Sequence, residues 1–210
     1  MKKRLLNIWA ATFGVMLLSA GSANAQTVVN FETETAGAKP NGYSTGGIIF
    51  NDTMGANLSV GNFGGQGIGT RSLAIGSDDA SGLEMLFGGT SSNLSLIFGN
   101  DDPCCSAAGD LALLRIFTGT TQVGQTSVLL NRDDLANQTI GISGVNFNRA
   151  TFVYTNAAFN PIGLLEIVDN ITYTPAVPEP ATWGLMILGF GAVGGVLRRK
   201  RETSVRLAAV

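Results

Sequence analysis

The sequence predicts an all-β fold, an antiparallel β-sandwich of jelly-roll type, with one apolar helix before it and one after it. Three observations carry that prediction. Short apolar or alternating runs recur between Gly, Asn, Asp and Pro, which reads as strands and turns. Glycine supplies 28 of the 210 residues, a load that argues against a helical bundle because each interior helical Gly costs about 1 kcal/mol relative to Ala. Long apolar stretches stand only at the two ends, inside Met1–Ala25 and Trp183–Leu197.

The first stretch has three parts. Lys2, Lys3 and Arg4 precede an apolar core from Leu5 to Leu18, and the segment closes on Ala23-Asn24-Ala25. A basic start, a short apolar core and a small-x-small end make a secretory signal spanning residues 1–25, which a Sec-type translocon would deliver. Ala23 and Ala25 fit the narrow pocket of a signal peptidase, and cleavage there leaves Gln26 as the new N-terminus. The core is short against the roughly 20 residues of a spanning helix.

Residues 26–174 are the expected β domain. Its strand candidates are Thr27–Phe31, Gly47–Phe50, Leu58–Val60, Ser72–Ile75, Leu83–Phe87, Asn93–Phe98, Leu111–Phe117, Thr126–Leu130, Thr151–Thr155 and Leu164–Thr174. Leu94, Leu96 and Phe98 share one face, while Ser95 and Ile97 take the other. Leu165, Ile167, Ile171 and Tyr173 share a face with Asp169. About ten strands, with turns roughly every 8 to 15 residues, suit a sandwich. No repeat points to a solenoid or propeller.

Charge is segregated. The domain holds thirteen acidic residues and five basic ones, Lys39, Arg71, Arg115, Arg132 and Arg149, a balance of −8. A nucleic-acid or anionic-lipid surface wants a basic face, so neither is expected as a partner. Histidine is absent, which removes the Ser–His–Asp triad, the Cys–His dyad and His-ligated metals. Trp9 and Trp183 both lie outside the domain, so it has no tryptophan on which to stack a sugar.

Several residues are candidates for chemistry. The loop Gly99–Asp110 is the densest polar segment. Asp101 and Asp102 there, with Glu32 and Asp169, are the first candidates for Ca2+, which takes 6 to 8 oxygens; the spacing is not that of an EF-hand, and a solvated turn needs the same residue types. Cys104 and Cys105, the only cysteines, would meet oxidising conditions after export. A disulfide between neighbours, or one pair to another chain, is expected; neither zinc nor a CxxC redox motif fits the spacing. Glu32, Glu34, Glu84 and Glu166 are the glutamates from which a two-carboxylate glycoside hydrolase or lyase would draw its pair, but nothing in the linear sequence places two of them together. No catalytic residue is assigned. Gly61–Gly69 lacks the Lys-Ser/Thr and βαβ setting of a phosphate loop.

The second apolar stretch is also tripartite. Residues 175–183 form a linker containing Pro178-Glu179-Pro180 and ending at Trp183. Residues 184–210 follow, with about 15 to 17 apolar positions, enough to cross a thin bilayer. Arg198, Arg199, Lys200 and Arg201 would act as a stop-transfer cluster, held inside. Pro178-Glu179-Pro180-x-x-Trp183, the Gly-rich apolar run and the basic end closely resemble the PEP-CTERM sorting signal of Gram-negative bacteria, a tail also found on some ice-binding proteins. The resemblance implies recognition by an exosortase, a membrane-embedded protease that cleaves near the PEP motif, and an association with exopolysaccharide and biofilm. Val29–Glu32 and Glu166–Ile171 are also similar to the first and last strands of exported β-sandwich domains, some of which bind carbohydrate or a structural Ca2+.

The expected role is therefore that of an exported, non-catalytic protein of the cell envelope or extracellular matrix. It would be held transiently at the inner membrane, sorted by an exosortase, and would interact with extracellular polysaccharide. A carbohydrate-active enzyme and a purely structural surface protein are the alternatives.

Overall fold

A computed structural model describes residues 25–206 except 56, 77 and 177–179. The expected signal helix, with Ala23, lies outside the described residues. The chain divides into two units, one of them Asn24–Val177 and the other including Pro178–Val210.

The first unit is an antiparallel β-sandwich. In chain order its strands are β1 (Thr27–Val29), β2 (Gly37–Lys39), β3 (Tyr43–Thr45), β4 (Ile48–Asp52), β5 (Leu58–Gly61), β6 (Ser72–Ile75), β7 (Leu83–Gly99), β8 (Leu111–Thr118), β9 (Thr121–Leu129), β10 (Gln138–Thr155) and β11 (Ile167–Pro175). One hydrogen-bonded path, β2-β5-β6-β11-β7-β10-β8-β9, joins most of them, with β1 on β11 and the β3–β4 hairpin on β7. β7 and β10 are long because each serves two layers. The first part of β7 pairs with β4 and with the end of β10, Leu83 facing Phe152. Its last part pairs with β11 and with the start of β10, Phe98 facing Gln138. Between these stretches the β7–β10 register slips, between Ser143 and Phe147 and again before Arg149. Bulges of this kind bend a strand and let it pass from one layer to the next.

The layers meet through aromatic rings. Phe98 of one lies 5.5 Å from Phe152 of the other, and Phe87 lies 5.1 Å from Tyr173. Phe152 and Tyr154 contact at 5.6 Å, nearly edge to face, the geometry aromatic quadrupoles favour. The alternation read for Leu94, Leu96 and Phe98 puts all three in the core, with Ser95 and Ile97 on the other face.

The second unit contains one described helix, α1 (Pro180–Arg206). A transmembrane helix was expected here. Among the described residues no helix is long and apolar enough to cross a membrane. Gly189, Gly191, Gly194 and Gly195 dilute the apolar run, and the same helix continues directly into Arg198, Arg199, Lys200 and Arg201. The expected membrane crossing is corrected accordingly, and the basic cluster stands at the C-terminal end of the helix.

Candidate functional site

Three places in the sandwich collect polar side chains, and each is held by a different part of the fold. The first is a shallow groove of about 270 Å3 on the outer face of the layer that contains β1 and β11. The pleat places it there: Leu94 points into the core, so Ser95 points out. Register then aligns Gly141 of β10, Ser95 of β7 and Thr172 of β11 in one row across three strands. Asn93, Ser143 and Gln26 extend the lining. Gly141 is needed where it stands, since a Cβ would come within 2.9 Å of the Ser95 Cβ. Asn93 is oriented by donating to the Thr174 hydroxyl at 3.2 Å and accepting from the Gly144 N–H at 3.3 Å. No charged residue lines this groove. The groove went unnoticed in the sequence; its signal was the alternation of small polar residues opposite Leu94 and Leu96.

The second place is the loop between β7 and β8. Asp101 is fully buried there. Its carboxylate accepts the backbone N–H groups of Arg132 at 2.9 Å and Asp134 at 3.2 Å. Both of those residues have positive φ, 61° and 65°, so the carboxylate holds a strained segment of the loop before β10. Arg132 reaches back, donating to the Pro103 carbonyl and the Ser106 hydroxyl. Asp102 accepts from the N–H groups of Cys104 and Cys105 at 3.1 and 3.2 Å. Cys104 and Cys105 are joined by a disulfide.

The third place is the end of the sandwich where β6 and β11 begin. Asp169 is buried and accepts from the Ser72 hydroxyl at 2.8 Å and the Asn170 N–H at 2.6 Å. Burial pushes its carboxyl up to about 6, against the lowering effect of those two donors, and the charge of Glu32 adds to the rise. Glu32 is exposed. The Thr70 hydroxyl, foremost, and the Thr70 N–H hold its carboxyl below the usual range. Gly69, with φ of +62°, lets the chain pass so close to Glu32 that a Cβ would collide with the carboxylate.

The four Ca2+ candidates are thus distributed. Glu32 and Asp169 share one neighbourhood, and Asp101 and Asp102 are consecutive in another. All four carboxylates already accept hydrogen bonds from this chain. Among the described residues, the one group of three acidic or sulfur side chains with mutually close ligand atoms is Asp102, Cys104 and Cys105.

The glutamates are also engaged separately. Glu84 pairs with Arg149 at 3.1 Å, and Glu34 accepts from the Thr45 hydroxyl at 2.6 Å. Glu166 is fully buried; one carboxylate oxygen accepts the Tyr154 N–H at 3.1 Å and the other has no hydrogen-bond partner. Burial drives its carboxyl well above the usual range, and the charges of Asp79 and Asp52 push the same way. It is a carboxyl group inside the core, where burial favours the neutral form. Sequence alone missed it, because a glutamate flanked by Leu165 and Ile167 reads as an exposed position on an alternating strand, whereas β11 starts one residue later.

In the second unit, Trp183 is 56% exposed and Arg198 is exposed, Pro180 opens α1, and Pro178 and Glu179 lie outside the described residues. Ala25 is exposed, ahead of β1.

Fold and site together define an antiparallel β-sandwich with an uncharged surface groove, followed by a separate C-terminal helical segment. Residues 176–201 match the model of the PEP-CTERM protein-sorting motif. The chain carries that motif, which marks an exported protein sorted to the cell envelope or the extracellular space. No curated protein matches the chain. Among solved structures, one similar chain is the Clostridium thermocellum xylanase 10B CBM22-1–GH10 structure complexed with xylohexaose, at 15% identity and a TM-score of 0.37. The match covers 72% of this chain and 28% of the xylanase chain. A second is TmCBM61 in complex with β-1,4-galactotriose, at 11% identity and a TM-score of 0.40, covering 70% of this chain and 94% of that one. A third is the C-terminal family 22 carbohydrate-binding module of Clostridium thermocellum Xyn10B, at 12% and 0.39, covering 74% and 98%. Similarity of this degree assigns no ligand to the groove.

Proposed function

We propose that the sandwich is a non-catalytic module that binds uncharged extracellular polysaccharide, exported by its N-terminal signal and sorted through its PEP-CTERM tail by a membrane-embedded exosortase. The groove carries this reading. Amide and hydroxyl side chains aligned across paired strands supply donors and acceptors spaced along an extended surface, which suits a chain rich in hydroxyl groups. The lining has no cation to meet a uronate or a sulfate, and the surrounding domain is acidic, so like-charge repulsion disfavours anionic glycans. The sorting motif supports the reading, since it marks a protein exported to the cell envelope or the extracellular space.

The test is co-sedimentation of the purified full chain with neutral and with anionic polysaccharides, read together with an assay for new reducing ends. Binding to neutral polymer without cleavage is expected. Ser143→Arg, which puts bulk and charge on an exposed groove position, should abolish that binding while leaving the melting temperature unchanged. Preferential binding to anionic polymer, or binding untouched by the substitution, would overturn the groove assignment. New reducing ends would favour an enzyme instead.

A further inference from the structure

The disulfide between Cys104 and Cys105 closes a ring between adjacent residues. Cross-links stabilise a fold mainly by restricting the unfolded chain, and the restriction grows with the loop they enclose. A link at a sequence separation of 1 encloses no loop. The segment is anchored by other means: buried Asp101 on the N–H groups of Arg132 and Asp134, and the Arg132 guanidinium on Pro103 and Ser106. The disulfide can therefore open without releasing the loop. Both cysteines are exposed, so a reductant can reach them.

Asp102 stands beside them. Its carboxylate caps both cysteine N–H groups, and its oxygen and the two sulfurs lie within 4.8 Å of one another. While the sulfurs are bonded to each other they offer no thiolate. Once reduced, they and the carboxylate present two soft donors and one hard donor converging on one point at the surface. That donor set selects a thiophilic divalent cation over Ca2+ or Mg2+.

We propose that Asp102, Cys104 and Cys105 form a redox-gated site for a thiophilic divalent cation, closed as the disulfide and opened by reduction. An external dithiol supplies two electrons and two protons and leaves as its own disulfide. The two cysteine thiols then give up two protons as the sulfurs bind the cation. An external disulfide takes up the two electrons and two protons and leaves as its dithiol, the Cys104–Cys105 bond re-forms, and the cation is expelled. The site is distinct from the groove, and its test does not depend on any polysaccharide.

The experiment uses Cd2+ as the probe and the purified full chain. After mild dithiol reduction and removal of the reductant under anaerobic conditions, titration should produce a near-ultraviolet thiolate-to-metal absorption band that saturates at one Cd2+ per chain. The oxidised chain should give no band. Cys104→Ser with Cys105→Ser should lose it completely. Asp102→Asn, which can still cap the turn, should keep the band but weaken binding on the order of tenfold. Equal Cd2+ binding by the oxidised chain or the double serine variant, measured by equilibrium dialysis, would show ordinary surface carboxylate binding and overturn the proposal. So would a disulfide that reduces only when the sandwich unfolds, followed by far-ultraviolet circular dichroism.

Discussion

The sandwich and the C-terminal helix treat apolar residues in opposite ways. In the sandwich, Leu96, Phe98, Phe152 and Leu114 are each at most 1% exposed. In α1, Leu185, Ile187, Leu188 and Phe190 are each at least 70% exposed. The sandwich packs most of its large apolar side chains inside itself, whereas those of the described helix stand exposed. Polar groups follow the same division. The sandwich buries Asp101, Asp169 and Glu166, whereas the helix gathers its charges at one end. A body that completes its own core can be carried and released. A segment that completes nothing by itself is suited to being read and removed.

Core truncation should separate the two units most strongly. Phe98→Ala removes a ring in contact with Phe152 and Tyr154 and should cost about 3 to 5 kcal/mol in urea unfolding. Phe190→Ala, at a position 73% exposed, should leave the midpoint of the same transition in place. Similar losses at both sites would break the comparison.

The buried acids sharpen it through pH. The folded state raises the carboxyls of both Glu166 and Asp169, so it holds more protons than the unfolded chain. Their contribution to stability is complete below the ordinary values of 4.5 and 3.8 and is lost as pH rises, for Asp169 through about 6 and for Glu166 through a folded-state value well above 4.5. Stability should therefore fall from mildly acidic to neutral pH. Glu166→Gln should flatten the upper part of that slope and raise the melting temperature at neutral pH. A slope unchanged by the substitution would mean that Glu166 ionises freely in the folded state.

A smaller effect is expected at Arg149. Its guanidinium bonds Glu84 at 3.1 Å and lies 4.0 Å from the centre of the Phe117 ring. Both interactions are partly solvated, so Arg149→Ala should cost about 1 kcal/mol, with the ionic share fading in high salt. Smallest of all, Cys104→Ser with Cys105→Ser should change unfolding stability by less than about 1 kcal/mol, below the usual 2 to 4 for a disulfide. A loss in that usual range would make the link structural after all.

Strand identity was legible where one face of a strand is buried and the other wet. Ser72–Ile75 and the alternation through Leu94, Leu96 and Phe98 were read directly. The corners were not. Gly88-Gly89-Thr90 reads as a turn between two strands, yet β7 runs unbroken from Leu83 to Gly99, because a bulged strand bends without ending. The same holds for β10, of which only Thr151–Thr155 was anticipated; Gly141 and Gly144 hid the rest. β2 and β3 are short, and Gly37-Ala38-Lys39 has no periodicity to read. The groove depends on register between β7, β10 and β11, and register is a long-range property that no local run contains. The PEP-CTERM motif was legible for the opposite reason, since its information lies in consecutive residues. The reading of the tail as a membrane span is not supported, because among the described residues no helix is long and apolar enough to cross a membrane.

The most direct test of the division between delivered body and removable address is the intact mass of the protein recovered outside a Gram-negative host that carries an exosortase. The account predicts a chain starting at Gln26 and ending near Pro178-Glu179-Pro180, and a variant with those three residues replaced by alanine that keeps its tail. Recovery of a released chain still carrying Arg198–Val210, or trimming of the alanine variant as efficient as that of the parent, would contradict it.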